Sequence, residues 1–241
     1  MMSECHLVRR ILRNQKSQTN LGSSPACRTL LALFVFVAIL FSGTGTVRGL
    51  EWPAVDWQNN PDGDWPDLAD FKASAWVVYD REREQPILAY HDEQPLYPAS
   101  TTKIMTAILA LEHLKPDQEL MASADAVALT SGSSKIGLKA GEVMKVRDLL
   151  AGLMLASGND AANVLAEAID GNLVDFAQRM NQKAKELGME QTHFCNPSGL
   201  HEDAHVTSAR DLAVLADYAM DNDQFRALVG RHTYILPATN M

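Results

Sequence analysis

The sequence predicts a mixed α/β chain of the α+β kind, a cluster of helices with an antiparallel hairpin ahead of it. Three observations predict it. Two short β-rich runs, Ala75–Tyr79 and Ile87–Tyr90, flank a charged turn at Asp80–Gln85. After Ser100, apolar residues recur at spacings of three and four, as in Leu149, Leu150, Leu153 and Met154. Hydrophobic residues make up 46% of the 241 positions and charged residues 21%, an ordinary globular balance.

The elements follow in order. Residues 1–49 read as a targeting segment. Basic residues precede the unbroken apolar run Leu30–Phe41, and small residues Ser42–Thr46 follow it. That run is short of the about 20 residues a spanning helix needs. Cleavage near Gly43–Gly45 or Val47–Gly49 is therefore expected over an uncleaved anchor, which implies export. Residues 50–73, rich in Asp, Asn, Pro and Trp, read as an extended arm. The first helix is expected from Ser100 to about Leu114, before Pro116. Further helices are expected at Val146–Ala156, Asp160–Ile169, Leu173–Leu187 and Ser208–Met220, and a late strand at Thr233–Leu236.

Charge excludes one function class. The first 49 residues hold six of the 21 basic residues and one acid, Glu4. The rest carries 29 acidic against 15 basic residues, so nucleic acid is not an expected partner. Cys5 and Cys27 precede the apolar run, which leaves Cys195 alone without a disulfide. It reads as a small buried apolar residue at a strand end.

Two short motifs carry chemistry. Ser100 and Lys103 stand three apart at a helix start, so their side chains share a face. A serine hydroxyl needs a base to become a nucleophile. A lysine serves when burial lowers its pKa. A helix N-terminus would also favour negative charge developing near Ser100. Ser157-Gly158-Asn159 lies between two helical stretches, where a hydroxyl can relay a proton and an amide can hold a peptide carbonyl. Taken singly, each motif has a plainer reading: a helix cap with a solvated lysine, and a cap for the helix at Asp160. A third match, His201-Glu-Asp-Ala-His205, has zinc-peptidase spacing. Asn196–Gly199 before it reads as a turn and Ser208-x-x-Asp211 after it as a new helix start. The histidines are thus expected in a connector, with no metal or other cofactor.

Together, Ser-x-x-Lys and Ser-x-Asn belong to the motif set of penicillin-binding proteins and class A β-lactamases, whose third member is Lys-Thr-Gly. Longer strings narrow this: Pro98–Ala107, Asp148–Ala162, Met180–Met189, Thr192–Leu200 and Thr207–Leu212. Over residues 74–236 the chain resembles the low-molecular-mass penicillin-binding D-alanyl-D-alanine carboxypeptidases. The resemblance implies a β-lactamase/transpeptidase-like fold, in which a helical cluster packs on an antiparallel sheet. It implies a peptidase acting on peptidoglycan stem peptides that end in D-Ala-D-Ala, acylated by β-lactams, in the periplasm or on the outer face of the cytoplasmic membrane. Membrane association is a further expectation. Ser100 would be the acylated nucleophile, Lys103 its base, Ser157 the proton relay and Asn159 the substrate-amide ligand. The backbone N–H of Ser100 would supply half of an oxyanion hole.

No Lys of this chain is followed by Thr-Gly or Ser-Gly. The family's third motif and last strands lie beyond the final matching segment. Residues 74–241 are therefore expected to form a partial domain, a fragment or a truncated and inactive product. An inactive wall-binding protein and a β-lactamase are the alternatives. A β-lactamase would need a deacylating Glu-x-x-Leu-Asn string, and none is present.

Overall fold

The computed structural model describes residues 72–241. The expected targeting segment, and all of the arm but its last two residues, lie outside them.

The hairpin forms where β-branched and aromatic residues cluster. Strands β1 (Trp76–Asp80) and β2 (Gln85–Tyr90) pair antiparallel, with a register shift between Val78 and Tyr79. That shift faces Pro86, which has no N–H to give the ladder. Asp80 Oδ1 accepts from the N–H groups of Glu82 (3.0 Å) and Arg83 (3.2 Å), closing the charged turn.

Helix α1 (Lys103–His113) is the centre of the packing, with Met105 through Ala110 all buried. A 3₁₀ turn, Ala99–Thr102, leads into it. The expected helix start at Ser100 is thus a tighter turn, and the α-helix begins at Lys103. Residues three apart eclipse one another in such a turn, so Ser100 and Lys103 still share a face.

A small antiparallel pair, β3 (Glu119–Met121) and β4 (Val143–Lys145), brackets the short helix α2 (Ala124–Val127). Helices α3 (Val146–Leu155), α4 (Asn159–Asp170), α5 (Leu173–Glu186), α6 (Ala209–Asp221) and α7 (Asp223–Val229) follow. Their starts are written in side chains. Asn172, Ser208 and Asn222 each accept a backbone N–H from the first turn of α5, α6 and α7. Gly171, at φ +79°, ends α4 in the left-handed conformation.

Two apolar cores lie on opposite sides of α1. Ala107, Ile108 and Ala110 meet Leu149, Leu150 and Leu153 of α3, Leu165 of α4 and Phe225 of α7. Met105 and Leu109 meet Phe176 and Met180 of α5 and Leu212 and Leu215 of α6. A third, smaller cluster joins the hairpin to α6 through Ala75 and Val77 on Ala209 and Ala213. Arg81 pins the same contact by pairing with Asp217 and Asp221.

Two sequence expectations need correction, and the structure adds elements the sequence did not announce. Thr233–Leu236 is not a strand. Its Tyr234 hydroxyl donates to Asp148 Oδ1 at 2.5 Å, and Ile235 points to solvent. The β3–β4 pair and α7 were not expected, because three-residue strands and a seven-residue helix are too short for a readable period. Cys195 lies in a bend, only half-buried, rather than in a strand end.

Candidate active site

The site assembles from three segments around the start of α1. The first is the turn that carries Ser100 and Lys103. The second is the α3–α4 connection, which carries Ser157 and Asn159. The third is the loop from His193 to Thr207.

Lys103 is 2% exposed, yet it is a lysine, so its donors must be met inside. Its Nζ donates to Ser100 Oγ at 3.1 Å and to the Ser198 carbonyl at 2.7 Å. Burial lowers its pKa from the usual lysine range to about 8. No charged neighbour contributes to that shift.

Ser157 Oγ donates to Ser100 Oγ at 2.9 Å. Of the three sequence-expected residues, Ser100 is therefore within hydrogen-bond reach of both Lys103 and Ser157. The backbone beside them is strained. Ser157 (φ 55°) and Ala99 (φ 48°) both occupy the left-handed region without being glycine.

Asn159 is the first residue of α4, and Gly158 holds the cap position without a side-chain cap bond. The plainer reading of Ser157 or Asn159 as a helix cap is thus excluded. Asn159 Nδ2 donates to Ser133 Oγ at 3.1 Å. Its Oδ1 is buried with no hydrogen-bond partner among the described residues. The next residue, Asp160, ties this helix start to the loop that holds Ser133. Its carboxylate accepts from the N–H groups of Ile136 (3.0 Å), Gly137 (2.8 Å), Leu138 (3.0 Å) and Ala161 (2.9 Å).

The His193–Thr207 loop is fastened to the segment around the Ser100 turn at several points. Leu96 and Thr207 exchange backbone hydrogen bonds at 2.7 and 2.9 Å. Thr106 Oγ1 donates to the Pro197 carbonyl at 2.6 Å. His205 Nδ1 accepts from the Cys195 N–H at 3.1 Å, and Nε2 lies 2.8 Å from Thr102 Oγ1. An Nδ1 that accepts leaves the proton on Nε2, so His205 donates to Thr102. Burial pushes its pKa down to about 4, so the ring is neutral. The zinc-spaced pair does not share a helix face, since residues 201–205 are not helical and turn at Asp203 and Ala204, as expected of a connector. Both ring nitrogens of His205 are engaged by protein groups. Burial and the nearby Glu202 raise the pKa of Cys195, the opposite of thiol activation.

The sequence did not announce Ser133, Ser198 or Thr102, and it marked His205 only by its zinc-like spacing. Ser198 acts through its main-chain carbonyl, which no residue pattern announces. Thr102 and His205 form a pair 103 positions apart, visible only after folding.

A hydroxyl between a buried amine and a second hydroxyl, on a turn against a helical cluster, is the arrangement that serine acyl transfer with a lysine base requires. Comparison with known proteins gives the family. Residues 62–234 match the family described as D-alanyl-D-alanine carboxypeptidase, and the chain belongs to it. It is 37% identical over 166 residues to D-alanyl-D-alanine carboxypeptidase DacF of Bacillus subtilis, covering 67% of this chain and 42% of that one. It is 36% identical over 192 residues to DacB2 of Mycobacterium tuberculosis, covering 78% of this chain and 64% of that one. Among solved structures, penicillin binding protein 6B of Escherichia coli aligns at a TM-score of 0.65 with 33% identity, over 70% of this chain and 56% of that one. The fold is thus that of the penicillin-binding, transpeptidase-like proteins. The chain spans less than two thirds of the length of either relative.

Proposed function

We propose that this protein is a serine peptidase that removes the terminal D-alanine from peptidoglycan stem peptides ending in D-Ala-D-Ala. The observation that carries the reading is Ser100 Oγ held 3.1 Å from the buried Lys103 amine and 2.9 Å from Ser157 Oγ.

The proton route follows from these distances. With a pKa of about 8, about a tenth of Lys103 is neutral at pH 7. The neutral amine takes the Ser100 proton while Oγ bonds to the carbonyl carbon of the penultimate D-alanine. The carbonyl oxygen gains the negative charge, and the Ser100 backbone N–H supplies one donor to it. Ser157 passes its proton to the departing nitrogen and takes in return the one that Lys103 holds, the peptide bond breaks and D-alanine leaves. Water then hydrolyses the ester on Ser100. Asn159, buried with an unpartnered Oδ1, orients the substrate amide. β-Lactams enter by the same first step and stay as a stable ester. No residue of this chain is assigned to the substrate carboxylate, since Lys-Thr-Gly is absent from the sequence.

The basic, apolar, small order of residues 1–49 supports export, to the periplasm or the outer face of the cytoplasmic membrane, with the membrane surface as a further contact. N-terminal sequencing of the exported product should find a start near residues 43–50, and an intact Met1 on a membrane-bound product would contradict cleavage.

A pentapeptide ending in D-Ala-D-Ala tests the reaction. The expected result is one D-alanine released per peptide, unaffected by chelators, with negligible nitrocefin turnover. Rapid nitrocefin turnover would instead favour a β-lactamase, and peptide binding without cleavage a wall-binding protein.

A further inference from the structure

Beyond the four residues assigned above, the loop facing Lys103 contains an organising side chain. We propose that Asn196 is a positioning residue for Lys103, holding the Ser198 carbonyl where it turns the lysine lone pair toward Ser100. The chemistry rests on the acyl-transfer reading above; the geometry stands without it.

A neutral lysine has two N–H groups and one lone pair. To take the Ser100 proton, the lone pair must face Ser100 Oγ. One N–H held elsewhere restricts rotation about the Cε–Nζ bond. The Ser198 carbonyl, at 2.7 Å, is the acceptor that holds it.

That carbonyl has no helix or sheet to support it, since residues 195–198 form bends. Asn196 supplies the support. Its Oδ1 accepts from the Ser198 N–H (3.2 Å), the Ser198 hydroxyl (3.1 Å) and the Gly199 N–H (2.8 Å). The Gly199 N–H and the Ser198 C=O belong to one planar peptide unit and point in opposite directions. Holding the N–H on Asn196 therefore aims the C=O at Lys103. The other end of the Asn196 amide is fixed too. Nδ2 donates to the Leu200 carbonyl at 2.9 Å and to Glu202 Oε1 at 2.8 Å. Turning the amide over would set NH₂ against three donors, so Oδ1 stays where it is needed.

The test uses the full chain as wild type, Asn196→Ala, Asn196→Asp and Ser198→Ala. Asp keeps acceptor oxygens, and Ser198→Ala keeps the carbonyl while removing one of the three bonds. Two quantities are read: the rate of Ser100 acylation by a fluorescent penicillin, and the titration of the Lys103 side-chain NMR signal. Asn196→Ala is expected to slow acylation about 10- to 100-fold with initial binding unchanged, since a small displacement of a reacting group costs that much. Its lysine should titrate above about 8, because the released amine reaches water. Ser198→Ala should stay near wild type in both; Asn196→Asp keeps an acceptor for the Gly199 N–H but sets its second oxygen against Glu202 and the Leu200 carbonyl, so its acylation rate should fall between wild type and Asn196→Ala. Melting curves check folding; if Asn196→Ala does not fold, Asn196→Ser, with a shorter acceptor, carries the same expectation at smaller size. Wild-type rate and titration in Asn196→Ala, or an equal loss in Ser198→Ala, would overturn the proposal. If wild type takes no label, the acyl-transfer reading fails, and the lysine titrations alone then decide the positioning role.

Discussion

A Cβ placed on Gly199 would lie 1.8 Å from the carbonyl oxygen of Ala99, the residue before Ser100. Gly199 also sits at φ +83°, and Ala99 is itself strained at φ 48°. The close approach lets the Ser198 carbonyl and the Ser100 turn converge on Lys103.

Gly199→Ala should therefore displace backbone, not a flexible side chain. A loss of about 3 kcal/mol or more is expected from overpacking and strain combined, together with much slower acylation. Gly171→Ala is the control. It also has positive φ but nothing within 4 Å of a Cβ, so a loss of about 1–2 kcal/mol is expected. Urea melts of the two variants check the contrast, and equal losses would contradict the packing argument.

Asp160 offers a second prediction. Its carboxylate takes three N–H groups from residues 136–138. Asp160→Ala leaves those donors without their acceptor, at about 1–3 kcal/mol for each that water does not reach, and of the three only Leu138 is buried. The loop should then release Ser133 and, with it, the Asn159 amide. Amide exchange at Ile136–Leu138 should speed up strongly while exchange in α1 stays slow. Unchanged exchange there would mean that the loop is held by other contacts.

Much of this was legible from residues alone. The Ser100–Lys103 spacing, the Ser157-x-Asn159 loop between two helices and the Ser208 cap of α6 all rest on local geometry, which a sequence carries. The supports of Lys103 were not legible for a physical reason. Ser198 contributes a peptide group that every residue possesses, from 95 positions away. His205 drew notice only through a zinc-like spacing, while its contact is with Thr102. Thr233–Leu236 misled because β-branched and aromatic composition describes a strand only when a partner strand is beside it. Here Tyr234 is spent on Asp148 instead.

The depressed pKa of Lys103 makes stability depend on pH in a stated direction. Between about pH 8 and 10.5 the unfolded chain binds this proton and the folded one releases it, so stability rises with pH through that window. Below pH 8 both states hold the proton and the full cost of burying the charge applies. That cost is about 3 kcal/mol from the shift. Lys103→Met removes it. The stability of Lys103→Met relative to wild type should therefore fall by about 3 kcal/mol between pH 8 and 10.5, while groups common to both cancel. Denaturant melts at a series of pH values check it, and a pH-independent difference would mean that Lys103 titrates normally.

Ser100 is proposed as a nucleophile activated by Lys103. The most direct measurement is peptide mass spectrometry after exposure to benzylpenicillin. One penicilloyl adduct is expected, on Ser100, absent from Ser100→Ala and formed about 10²- to 10⁴-fold more slowly in Lys103→Ala. An adduct on another residue, undiminished labelling of Ser100→Ala, or no adduct on the wild-type chain would contradict it.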